Sequence, residues 1–161
     1  AYTVAMEAGL HSVPHAGEHV GPESVWSAIR ALKAERIGHG VRSVEDPALV
    51  EYLREHQIPL EVCPTSNLCL GTYPSYEEHP IRWLWEQGVY VTLNSDDPPM
   101  FNTDLVGEYE ALAEYLNFTP SELERLSLNG LRASFLPDKR KADHERAFCA
   151  EFARLRTQYL A

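Results

Sequence analysis

Apolar positions along the chain follow two alternating patterns, short unbroken runs and longer stretches spaced three and four residues apart. The runs at 10–17 (LHSVPHAG), 36–41 (RIGHGV), 58–63 (IPLEVC) and 89–94 (VYVTLN) have the brevity and apolar character of buried strands. Between them, 21–35 places Val25, Trp26, Ile29 and Leu32 on one helical face, with Pro22 suited to the first helical position. A second helix is expected over 46–57, with Asp46 as N-cap and Pro47 in its first turn. A third, over 79–88, has Gly88 to terminate it. Two more follow. The helix at 103–117 aligns Leu105, Tyr109, Leu112 and Leu116, and that at 119–131 opens with a capping box, Thr119 to Glu122. The stretch 137–161 has the pattern of a long, charged, amphipathic helix, and the opening AYTVAMEAGL reads like the middle of a helix cut from something longer.

Strands alternating with helices imply a parallel sheet with right-handed crossovers. The strand ends are regularly spaced: His15 to His39 is 24 residues, His39 to Cys63 is 24, and Cys63 to Ser95 is 32. Each step is one βα unit, and four are visible. Every strand runs directly into a polar stretch containing Gly or Pro: HAGE, HG, CPTSN and NSDDPP. Chemistry gathered at the C-terminal ends of parallel strands marks a TIM barrel or an open α/β sheet.

Composition narrows the partners. The 161 residues suit one domain, and an apolar content of 44% is that of a globular chain. With 14 Lys+Arg against 24 Asp+Glu, the net charge of −10 argues against a groove for nucleic acid and leaves room for a neutral small molecule. No apolar run approaches the ~18 residues of a membrane helix. Three cysteines, an odd number without framework spacing, fit reduced thiols and a cytoplasmic location.

The candidate chemistry sits at the strand ends. In VTLNSDDPPMF, two like charges, Asp96 and Asp97, stand where an apolar run stops. Asp-Asp-Pro is ordinary turn chemistry. A cation that neutralises one carboxylate also accounts for the pair, leaving the other free to bind a substrate donor. In HAGE, Ala16 and Gly17 remove bulk, which brings His15 and Glu18 within reach of one ligand. His15 and Asp96 are donor types that zinc accepts. His39 lies between Gly38 and Gly40, either in a tight strand-to-loop turn or as an accessible base or electrostatic partner for a metal-bound water. Cys63 suits a small core residue. The His-x-x-Glu spacing and the six residues from Cys63 to Cys69 set aside the H-x-E…P-C-x-x-C zinc deaminases.

Together, HAGE (15–18), RIGHG (36–40), EVCPTSN (61–67) and VTLNSDDPPMF (91–101), in this order and spacing, resemble the adenosine deaminase family, and the bacterial members in particular. The resemblance covers essentially the whole chain and corresponds to the C-terminal half of the family's domain. It implies an α/β fold, half of a (β/α)₈ TIM barrel with about four βα units and C-terminal helices, so that 1–161 is a partial catalytic domain. It implies one zinc, with His15 and Asp96 as ligands. Glu18 protonates purine N1, His39 orients the attacking water and helps deprotonate it, and Asp97 binds purine N7. The activity implied is hydrolytic deamination of adenosine, with deoxyadenosine as a further substrate, to inosine and ammonia in purine salvage, with adenine or aminofutalosine as alternative substrates. The family's other two zinc ligands come from a His-x-His motif, and nothing in the chain matches it. A second expectation is therefore a non-catalytic half-barrel that is inactive alone and associates with itself.

Overall fold

A computed structural model describes residues 1–160. Four strands form one parallel sheet: β1 (His15–Ala16), β2 (Ile37–His39), β3 (Leu60–Val62) and β4 (Val91–Leu93). Each pairs with the next in sequence, giving the order β1-β2-β3-β4. His15 lies opposite Gly38, Ile37 opposite Leu60, and Leu60 opposite Val91. The order never reverses, as it must in a doubly wound sheet, and successive crossovers of one hand are how a (β/α)₈ barrel is built. The strands are shorter than the apolar runs that announce them. In 10–17 only His15 and Ala16 pair.

The expected helices form, with ends set by local chemistry. After the short α1 (Tyr2–Glu7), α2 (Pro22–Leu32) stops before residue 35 because Lys33 turns into the left-handed region. A 3₁₀ turn (Val41–Glu45) leads into α3 (Pro47–His56). Asp46 caps α3 by accepting from Ala48 N, and its other oxygen accepts from Trp26 Nε1 at 2.8 Å, tying α2 to α3. The helix expected over 79–88 is α5, which spans only Ile81–Glu86, with Gly88 at φ +77° beyond its end. Further on, α7 (Leu105–Leu116) is capped by Asp104, and α8 (Pro120–Ala133) has the full Thr119–Glu122 capping box. The last helix, α9 (Asp138–Tyr159), buries none of its residues. Its expected extent includes Ala161, which lies outside the described residues. Two short helices have no apolar periodicity to announce them: α4 (Pro64–Cys69) and α6 (Pro98–Phe101), each started by a proline.

The core lies between the sheet and its helices. Ile37, Leu60, Val62 and Val91 pack with Val25, Leu49, Leu53, Ile81, Leu84, Leu112 and Leu126. Leu105 departs from the expected α7 face. It is 48% exposed while Leu112 and Leu116 are buried, and it lines a cleft at the strand ends instead. Among the described residues no helix is long and apolar enough to cross a membrane, and all three cysteines are free.

Candidate active site

The four strands deliver their C-terminal ends to one cleft of about 370 Å³, lined by His15, His39, Glu61, Cys63, Asn94 and Asp96 among others. That volume is of the size that takes a small organic ligand. The local backbone explains the residue choices. Gly17 has φ +65°, and its N–H donates to Ser24 Oγ at 2.8 Å, which fastens the turn between His15 and Glu18 onto α2. A Cβ on Gly38 would meet His15 Cδ2 at 2.6 Å, so the glycine is the notch that seats the His15 ring. His39 and Asp96 are themselves left-handed, with φ +64° and +57°. For non-glycine residues this conformation is uncommon, and it gathers at functional sites.

These constraints bring His15, Glu18, His39 and Asp96 together. His39 is 1% exposed, and its Nε2 lies 3.6 Å from Glu18 Oε2 and 3.9 Å from Asp96 Oδ2. The His15 and His39 rings meet edge to face, with centroids 4.9 Å apart. Burial holds His39 below the usual histidine range, opposed by the nearby carboxylates of Glu18 and Asp96. Asp96 Oδ2 accepts from Ser66 Oγ at 2.7 Å. Asp97 turns the other way and N-caps α6, accepting from Met100 N at 3.1 Å. The adjacent aspartates diverge, though not by strand alternation, because β4 ends at Leu93. The left-handed turn at Asp96 separates them.

The arrangement fits a zinc ion in donor type. Ligand atoms of His15, Glu18 and His39 lie within 4.8 Å of one another, as do those of His39, Cys63 and Asp96. Imidazole nitrogens and carboxylate oxygens are ordinary zinc ligands. Cys63 is the poor member. Burial pushes its thiol far up, which keeps it protonated, and Sγ–H donates to Glu61 O. His39 belongs to both groups, whereas His15 and Asp96 fall in different ones.

Three residues behind the cluster carry no role in the sequence reading. Ser66 and Asn67, both buried, lie on α4, and His79 is 3% exposed before α5. Asn67 bridges His39 Nδ1 (3.3 Å) and His79 Nε2 (3.1 Å). The one sequence signal for His79 is the His-Pro pair at the start of an expected helix.

His79 also gives the fold a pH dependence. Burial, with His39 nearby, drives its pKa down to about 3, whereas an unfolded chain protonates histidine near ~6.5. Between those values the unfolded state binds more protons, so stability rises with pH and is lost as pH falls from about 6.5 toward about 3, by ~1.4 kcal/mol per unit well inside the window. The urea midpoint is expected to drop between pH 6.5 and 5, and His79→Gln is expected to flatten that slope. Equal slopes in the two proteins would contradict this assignment.

Comparison with known proteins places this geometry. The chain is 53% identical over 138 residues to an aminodeoxyfutalosine deaminase of Streptomyces avermitilis, covering 86% of this chain and 38% of that one. It is 46% identical over 141 residues to an adenosine deaminase of Klebsiella pneumoniae, covering 88% and 42%. Its structure superposes on an adenine deaminase from Arthrobacter aurescens with a TM-score of 0.92 at 37% identity, over 95% of this chain and 46% of that one. It superposes on a zinc-bound amidohydrolase from Burkholderia ambifaria with a TM-score of 0.90 at 30% identity, over 98% and 44%. The chain thus spans less than half the length of these relatives. The four parallel βα units are a TIM-barrel half. A family profile described as adenosine deaminase matches residues 1–146, and with the motifs at the four strand ends this match establishes that the chain belongs to the adenosine deaminase family.

Proposed function

We propose that these residues form the C-terminal half of the active site of a zinc-dependent aminohydrolase that converts adenosine and water to inosine and ammonia. The observation that carries the reading is the convergence of Glu18, His39 and Asp96 within 3.9 Å around His39 Nε2, beside His15. Zinc, when bound by His15 and Asp96 together with ligands from outside the chain, brings the pKa of water down toward ~7. Glu18, 15% exposed and 3.6 Å from His39 Nε2, gives a proton to purine N1, which makes C6 the electron-poor carbon that water attacks. The water gives up two protons, one to a carboxylate of the cluster and one to the amino group, and the C6–N bond breaks with release of ammonia, leaving the C6 carbonyl of inosine. His39, held rigidly by burial, orients the water against that carbon. Asp97, carrying a proton, donates it to the N7 lone pair of the purine, and gives up its helix-capping bond from Met100 N when it does so. The ligand is a neutral purine nucleoside, in keeping with an acidic chain.

A second substrate has a specific observation behind it. The aminodeoxyfutalosine deaminase is more similar in sequence than the adenosine deaminase, 53% against 46%. The ratio of kcat/KM for adenosine, adenine and aminodeoxyfutalosine separates these readings.

The division of labour between the two aspartates is testable in a chimera. The chain is joined to the part of the Streptomyces avermitilis relative that it does not cover. Asp96→Ala is expected to lower zinc content, while Asp97→Ala retains zinc and loses turnover. Elemental analysis decides it, and equal zinc loss in both variants would sink the assignment.

A further inference from the structure

The buried polar chain behind His39 has a direction, and that direction can be read from its far end. Ile81 N–H is a backbone donor that cannot be reversed, and it donates to His79 Nδ1 at 3.2 Å. His79 Nδ1 therefore carries a lone pair. A neutral imidazole then keeps its single proton on Nε2, and burial holds His79 neutral. Nε2–H donates to Asn67 Oδ1 at 3.1 Å, which fixes the amide with its NH₂ toward His39. Asn67 Nδ2 donates to His39 Nδ1 at 3.3 Å. His39 Nδ1 is thus an acceptor, and the proton of neutral His39 lies on Nε2, the nitrogen that faces Glu18 and Asp96.

We propose that Asn67 and His79 are positioning residues that lock His39 in its Nε2–H tautomer, so that His39 meets the site as a hydrogen-bond donor and not as a base. The opposite arrangement fails at the far end. For Nε2 to offer a lone pair, His39 Nδ1 would carry the proton and Asn67 would turn its oxygen toward it. The amide NH₂ would then face His79 Nε2, and the His79 proton would move to Nδ1, directly against Ile81 N–H. Two donors would oppose each other among buried residues, Asn67, His79 and Ile81, where an unmet donor is costly. The bearing on catalysis rests on the deaminase reading. With Nε2 protonated, the proton that the attacking water loses goes to a carboxylate of the cluster, and His39 holds the water's oxygen by donating to it. This differs from the base role that the family resemblance implies for His39.

The tautomer is read without metal or substrate, by long-range ¹H–¹⁵N correlation on the 161-residue chain labelled with ¹⁵N-histidine. In the native sequence, His39 and His79 are expected to show pyridine-type Nδ1 and pyrrole-type Nε2. Asn67→Asp replaces the amide donor with an acceptor, and His39 Nδ1 is expected to lose its pyridine-type shift. His79→Gln keeps an amide donor toward Asn67 and is expected to preserve the native His39 shifts, whereas His79→Phe averages them. A pyrrole-type His39 Nδ1 in the native chain would overturn the proposal. So would unchanged His39 shifts in Asn67→Asp, or identical His39 shifts in His79→Gln and His79→Phe. Failure of the deaminase reading leaves these spectra unaltered, so the two outcomes are distinguishable.

Discussion

Glu18→Gln in the completed barrel is expected to lower kcat by ~10²- to 10⁴-fold, the usual worth of a general acid. Glutamine keeps the shape of the side chain and its place beside His39. It loses only the proton that purine N1 must receive. The backbone that aims residue 18 is independent of its carboxyl, because the turn is held by Gly17 N–H on Ser24 Oγ. A folding defect is therefore not expected, and zinc content is expected to match the parent protein, since His15 and Asp96 are untouched. Stopped assays of ammonia release, with zinc measured on the same sample, check both halves. Near-parental turnover would remove Glu18 from the mechanism.

The second large effect concerns the chain by itself, which is expected to show no deaminase activity and to associate. Among the described residues β1 pairs only with β2, and β4 only with β3, so each leaves one edge of backbone donors and acceptors open. In the segments that precede β1 and follow β4 in sequence, Leu10, Met100, Leu105 and Val106 are exposed large apolar residues. Exposed patches of this kind seek partners, and a second copy offers matching edges. Multi-angle light scattering at micromolar concentration is expected to give a mass at or above that of a dimer. A stable, zinc-loaded monomer that deaminates adenosine would contradict the expectation.

Much of this was legible in the chain because the signals are local. The Asp46 cap, the Thr119–Glu122 box and the Gly88 stop depend on residues within one turn, and each forms as the sequence implies. The 24-residue spacing of strand ends likewise fixes which residues reach the cleft. Less legible was anything decided across the fold. The short helices α4 and α6 lack an apolar face to repeat, so Ser66 and Asn67 read only as part of the polar stretch that follows β3. Leu105 fits the α7 stripe by spacing, yet it faces the cleft because the stripe outruns the core. The separation of Asp96 from Asp97 depends on a positive φ that no neighbour in sequence demands. His79, distant from every motif, reaches His39 only through Asn67.

The central claim, that these four strand ends form half of a zinc-dependent purine deaminase site, is tested most directly by completing the barrel. The chimera with the uncovered part of the Streptomyces avermitilis relative is purified, its zinc measured, and ammonia release followed with adenosine, adenine and aminodeoxyfutalosine. One zinc per chain and release of ammonia from at least one of the three, slowed ~10²- to 10⁴-fold by Glu18→Gln, is the predicted result. A folded chimera that holds one zinc and releases ammonia from none of the three would contradict it.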